Sequence, residues 1–254
     1  SPKWFFIERT AREVFETHGF REIRIPILEK TALFARSIGE TTDIVEKEMY
    51  SFVDRGGEEV TLRPEGTASV VRAFVEHKLY SSPAMIKLYY MGPMFRHERP
   101  QAGRYRQFYQ IGAEAFGMPA PALDVEIIFM LMEFFGKLGL INLDLHLNSL
   151  GCQDCRPRFK EALTDYLSTG RPKLCSDCQK RVSQNPLRVL DCKNETCREW
   201  TTHAPSLIAF LCGPCNDHFQ EVQELLGLLK LPYQINTRLV RGLDYYTRTT
   251  FEII

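Results

Sequence analysis

Arg96, Arg99, Arg104 and Arg106 share the thirteen residues from Arg96 to Phe108 with the acidic Glu98. The plainest reading of such a stretch is a solvated, charged hairpin. The residue types also suit a second chemistry. A guanidinium presents a planar fork that binds a phosphate and a carboxylate through paired hydrogen bonds, which lysine does less well. Order and spacing have to decide between the two.

A second set of reactive residues lies further on. Cys152-x-x-Cys155, Cys175-x-x-Cys178, Cys192-x4-Cys197 and Cys212-x-x-Cys215 take up all eight cysteines of the chain. Close pairs without a secretory signal favour metal binding or free thiols over disulfides. Tetrahedral zinc takes two such pairs per site, so one or two zinc ions can be held. Four thiolates leave no open position for a substrate, which makes such a zinc structural. Free buried thiols are the other reading. His146, His203 and His218 read as surface or packing residues.

The elements around these residues follow from periodicity. Trp4–His18 has a mostly helical pattern that Gly19 closes. Ile23, Ile25 and Ile27 alternate with Arg24 and Pro26 as a strand, with Pro26 marking a sheet boundary. Met49–Val53 and Glu59–Leu62 flank a turn at Asp54–Gly57, and a helix runs from about Gly66 to His77. Lys87–Arg96 and Arg106–Ala115 form a long hairpin whose connection is polar. Asp124–Leu138 is an apolar helix, and Ile141–Leu147 a half-buried strand.

Antiparallel strands between segregated helices make the fold class α+β, an antiparallel sheet flanked by helices. From Gly151 to about Lys230 the pattern changes to short helices and polar turns around the cysteines. The organisation expected is a core over residues 1–150, a small, mainly helical cysteine-rich insertion over 151–230, and a strand-turn-strand return to the core over 231–254.

Composition narrows the function class. The chain has 254 residues, 44% hydrophobic, and 32 basic against 32 acidic side chains. No overall field recruits a polyanion, so any nucleic-acid surface is local. No apolar run reaches the 18 to 20 or so residues of a membrane helix. Together with the lack of a signal at Ser1–Thr10, this leads us to expect a cytoplasmic protein without a membrane partner.

Arginine-x-glutamate, a loop, then arginine-x-x-x-phenylalanine resembles motif 2 of the class II aminoacyl-tRNA synthetases. The resemblance implies that Arg96 joins the α-phosphate of ATP to the amino-acid carboxylate. It implies that Glu98 accepts from the adenine amino group, Phe108 stacks on the purine and Arg104 holds the γ-phosphate, with Mg2+ accompanying ATP. Gly19–Ser37, with Pro26, is similar to motif 1 of the class, which implies a homodimer.

Two further stretches resemble the histidine-specific members. Leu62–Thr67 resembles their segment that contacts the α-amino group through Glu65 and Thr67, although a helix capped by Thr67 is compatible with the same residues. Leu239–Thr249 resembles their histidine signature, with Arg241 near the α-phosphate as a catalytic cation beside Arg96, and with Tyr245 and Tyr246 in the pocket. A histidine pocket must pair both ring nitrogens. The family does this with a carboxylate and a tyrosine hydroxyl, which by position are Glu114 and Tyr246. Gln110, four residues before Glu114 on the same strand face, joins the α-amino group site.

The activity implied is activation of histidine with ATP to histidyl-adenylate and pyrophosphate, then transfer to the 3′ end of tRNA(His). The family's motif 3 and anticodon-binding domain are not in these 254 residues, so this stretch alone is expected to be inactive or impaired. The alternatives are a non-catalytic paralogue, such as the regulatory subunit of an ATP phosphoribosyltransferase, and a histidine- or tRNA-sensing module.

Overall fold

The computed structural model describes residues 1–39, 42, 44–98, 103–241 and 245–254. Two stretches singled out in the sequence fall partly beyond it: residues 99–102 of the hairpin connection and residues 242–244 of the histidine signature lie outside the described residues. The chain divides into two units. Of the described residues, the first comprises Ser1–Pro119, Glu126–Ile141 and Tyr245; the second comprises Ala120–Val125, residues 142–241 and Tyr246–Ile254.

In the first unit, helix α1 (Pro2–Thr17) ends at Gly19, whose φ of +79° only glycine takes without strain. Strand β1 (Arg21–Glu22) pairs in parallel with β5 (Ile86–Phe95), and β5 pairs antiparallel with β6 (Gln107–Phe116) over ten residues. Strand β2 (Leu28–Lys30), β3 (Tyr50–Val53) and β4 (Glu59–Leu62) form a separate antiparallel sheet in the order β2-β4-β3. Helix α2 (Thr31–Ile38), a π-helical turn at Ile44–Glu48, and helix α3 (Thr67–Glu76) complete this part. Helix α4 (Pro121–Lys137) begins among residues of the second unit and continues into the first.

One face of the β5–β6 hairpin packs against α1 and α4. Tyr89, Met91, Ile111, Ala113 and Ala115 meet Ala11, Val14, Phe15, Met130 and Phe134 there, with Tyr89 and Phe15 edge to face at 5.4 Å. Strand side chains alternate, so Leu88, Tyr90, Gly92 and Met94 share the opposite face with Phe108, Gln110, Gly112 and Glu114. This second face carries the candidate site.

The strand expected over Ile23–Ile27 is not formed. Two short strands flank it, and the residues between are held by a side chain. Arg63, 4% exposed, donates from Nη1 to the Ile25 carbonyl at 2.6 Å and to that of Pro26 at 3.2 Å, and from Nε to the Pro93 carbonyl at 2.9 Å. With those carbonyls taken and no N–H on Pro26, no ladder can run through. The other elements of this unit lie within a few residues of their expected places.

The second unit holds β7 (Leu145–Ser149) between β8 (Gln234–Ile235) and β9 (Thr249–Ile253). Strand β7 begins four residues later than expected, and residues 238–241 and 245–248 form no strand. Helices α5 (Arg156–Thr169), α6 (Ser176–Gln184), α7 (Leu187–Leu190), α8 (Glu195–Trp200) and α9 (Gly213–Leu228) intervene, as the mainly helical reading required. Their core is Phe159, Leu163, Leu167, Cys178, Val182, Val189, Cys197 and Leu207. Among the described residues no helix is long and apolar enough to cross a membrane.

Candidate active site

Three of the expected residues meet at the start of α3. The buried Glu65 carboxylate accepts from the backbone N–H groups of Thr67 at 2.7 Å and Ala68 at 2.9 Å. An anion at a helix N-terminus satisfies donors that have no partner within the helix. Glu65 therefore does the capping, not the Thr67 side chain. The Thr67 hydroxyl is left to donate to Glu114 Oε1 at 2.7 Å, across to β6.

Thr67 thus stands between two carboxylates. Burial, above all, raises the pKa of Glu65, against the two backbone hydrogen bonds and the positive charge of Arg96. Burial likewise pushes Glu114 up to about 7, and the neighbouring Glu65 adds to the shift. Two anions in a poorly solvated site repel each other, and a bound cation or N–H donor would relieve them.

Arg96 follows the last residue of β5. Its Nε donates to the Pro64 carbonyl at 2.9 Å and its guanidinium carbon lies 5.1 Å from the centre of the Phe108 ring. These contacts fix the arginine beside Glu65 and the ring that is expected to stack on a purine. Glu98 and Arg104 pair with each other at 3.1 Å across the hairpin connection. Gln110 is partly buried on the same face and stands opposite Gly92 in the ladder.

Two residues that sequence reasoning passed over shape this face. The ring of Tyr90 lies where a Cβ on Gly66 would come within 2.3 Å and one on Gly112 within 2.2 Å. The tyrosine therefore requires glycine both before α3 and on β6, and it holds those elements at a close distance. Arg63 is the other. An arginine directly before a proline, and a glycine opposite a tyrosine across the expected hairpin, were the available signals.

Tyr245 belongs to the first unit, whereas Arg241 and Tyr246 belong to the second. Arg241 Nε donates to the Thr250 hydroxyl at 3.1 Å, its Nη2 donates to the Phe251 carbonyl, and its Nη1 is 3.9 Å from Glu252. The Tyr246 carbonyl accepts from Arg156.

The eight cysteines form two clusters of four, each with all sulfurs within 4.8 Å of one another. Cys152, Cys155, Cys212 and Cys215 make the first; Cys175, Cys178, Cys192 and Cys197 make the second. Spacing alone had not paired them: the first pair joins the last, enclosing the second and third. Backbone N–H groups donate to sulfur in both, from Cys212 to Cys155 Sγ and from Cys175 to Cys197 Sγ, each at 3.2 Å. Burial works against the thiolate of Cys155, but hydrogen bonds from Cys152 and Cys212 bring its pKa down to about 7. Histidine is in neither cluster. His218 is buried, 3.5 Å from Asp124, and Asn236 reaches His146 at 3.0 Å.

An α+β core in which a long antiparallel hairpin carries Arg96, Phe108 and Glu114 on one face has the catalytic fold of the class II aminoacyl-tRNA synthetases. The family model described as Histidyl-tRNA synthetase matches residues 6–154. The chain belongs to the histidyl-tRNA synthetase family. It is 59% identical to the histidine–tRNA ligase of Syntrophotalea carbinolica over 251 residues, 99% of this chain and 60% of that protein. A structure of apo histidyl-tRNA synthetase from S. aureus matches with a TM-score of 0.76 and 40% identity, over 99% of this chain and 57% of that one. A structure from Bacillus halodurans, described as an ATP phosphoribosyltransferase regulatory subunit/histidyl-tRNA synthetase, shares the fold at a TM-score of 0.67 and 18% identity. The chain spans about 60% of the length of the curated relatives it matches.

Proposed function

We propose that the protein to which this chain belongs activates histidine with ATP and transfers it to the 3′ end of tRNA(His) in the cytoplasm. The observation that carries this reading is the pair of buried carboxylates bridged by Thr67. Glu65, Thr67 and Gln110 bind the α-amino group, and Glu114 accepts an imidazole N–H. A ligand without those donors leaves Glu114 buried with the Thr67 hydroxyl but no imidazole N–H to satisfy it, and a pocket built this way rejects such a ligand strongly. Tyr245 and Tyr246 complete the recognition of histidine.

Attack of the histidine carboxylate on the α-phosphate brings two anions together, so positioning and charge neutralisation dominate. Arg96, already braced by Pro64 and Phe108, bridges both reactants, and Arg241 adds a second cation. Glu98 and Arg104 exchange their mutual ion pair for the adenine amino group and the γ-phosphate. An exposed pair is worth about 0 to 1 kcal/mol, so it opens readily. Mg2+ bound with ATP supplies further phosphate neutralisation.

The donor sets of the cysteine clusters fit zinc: four sulfurs each, a closed shell, and N–H groups aimed at sulfur. We assign each cluster one structural zinc. A homodimer is supported by the exposed Ile27 and Leu28, 46% and 48% accessible, on the segment that resembles motif 1. Pyrophosphate exchange by the full-length protein tests the activity. Exchange that depends on histidine is expected. Histidine binding without exchange would instead favour the non-catalytic paralogue.

A further inference from the structure

Three groups next to the first cysteine cluster grip the segment Tyr246–Thr249. Leu150 and Gly151, directly before Cys152, each bond to Arg248: the Arg248 N–H donates to the Gly151 carbonyl at 2.7 Å, and the Leu150 N–H donates to the Arg248 carbonyl at 2.7 Å. Arg156, directly after Cys155, donates to the Tyr246 carbonyl and, from Nε, to that of Leu150 at 3.3 Å. His218, three residues after Cys215 on α9, meets the Thr249 hydroxyl at 3.5 Å. Arg248 has a φ of +56°, a left-handed conformation that a residue with a Cβ keeps only when its surroundings impose it.

The second cluster is placed differently. Its cysteines pack in the insertion's own core with Phe159, Leu163, Leu167 and Trp200. Its contacts lie at the other end of the signature: Arg238, directly before it, donates to the Arg198 carbonyl at 3.2 Å and the Thr201 hydroxyl at 2.8 Å, and Val240 packs against the same core.

We infer that the zinc held by Cys152, Cys155, Cys212 and Cys215 is a positioning centre for Tyr246–Thr249, whereas the zinc of the second cluster serves to fold the insertion. This rests on the zinc assignment above. The first cluster ties the Gly151–Arg156 turn to the start of α9, and both of those elements hold the segment. Loss of that cross-link frees Arg248 to leave its strained conformation.

Hydrogen exchange at the Arg248 amide in the full-length protein, with zinc content measured on the same samples, tests the inference. The amide bonds directly to Gly151, so its protection reports the grip without any need for catalysis. Cys212→Ser should speed its exchange by about tenfold or more, while Cys178→Ser should change it by less than about twofold. Arg156→Gln touches no cysteine and guards against misfolding of the cysteine variants; it should keep two zinc equivalents and also speed exchange. Wild-type protein with less than about a tenth of an equivalent of zinc overturns the zinc assignment, and the inference with it. Zinc at two equivalents with equal exchange in Cys212→Ser and Cys178→Ser, or unchanged exchange in Arg156→Gln, overturns the inference alone.

Discussion

At the scale of single residues, Glu114 is the group on which the proposed histidine pocket depends. Its pKa of about 7 in the folded chain lies above the ordinary 4.5. The folded state therefore keeps this proton to higher pH than the unfolded chain does. The stability this confers is complete below pH 4.5 and is lost as the pH rises through about 7. Glu114→Gln removes that loss, and denaturation at pH 8 should find the variant more stable than wild type by on the order of 2 to 3 kcal/mol. A variant equally or less stable at pH 8 would show that Glu114 is not strained by burial. For Arg241, alanine should slow adenylation by about 100-fold, as removal of a preorganised charge does elsewhere. Single-turnover adenylate formation at near wild-type rate would remove Arg241 from the chemistry. The types and spacing of Arg96, Glu98, Arg104 and Phe108 were legible in the sequence. The capping by Glu65 was not, because Thr67 is the commoner capping residue and only the fold shows its hydroxyl committed to Glu114.

Elements position these residues through contacts that periodicity does not encode. The β5–β6 hairpin could be read from its alternation, including the shared face of Gln110 and Glu114, because each strand is long and one face packs on helices. The segment over Ile23–Ile27 could not, since its alternation is that of a strand while its carbonyls are claimed by Arg63, distant in sequence. Tyr90 is a similar long-range constraint. Gly112→Ala places a methyl group within 2.2 Å of its ring and should cost about 2 to 3 kcal/mol of stability, measured by denaturant unfolding. Unchanged stability would mean that β6 and α3 are not fixed at this separation by Tyr90. The same substitution should weaken histidine binding, because Glu114 is two residues along the strand.

The whole molecule comprises two units with different sources of order. The first is built on an apolar core of Phe15, Phe20, Tyr89, Met130 and Phe134, whereas the second gathers eight cysteines into two clusters of four sulfurs. The cysteine pairs were legible in the sequence, but their nested partnership needed the fold, since spacing within a pair says nothing about which pairs meet. The proposed homodimer belongs to this scale as well. Ile27→Asp should convert a dimer to a monomer in sedimentation analysis, because a charge would be buried without a partner in the interface. A dimer of unaltered stability would move the interface elsewhere. The claim on which all of this depends is that the Glu65–Thr67–Glu114 site recognises histidine. Calorimetric titration of histidine into the full-length protein and its Glu114→Gln variant measures this directly. Binding to wild type with about 100-fold or greater loss in the variant is the expected result; equal affinity in the two, or no binding to wild type, would contradict it.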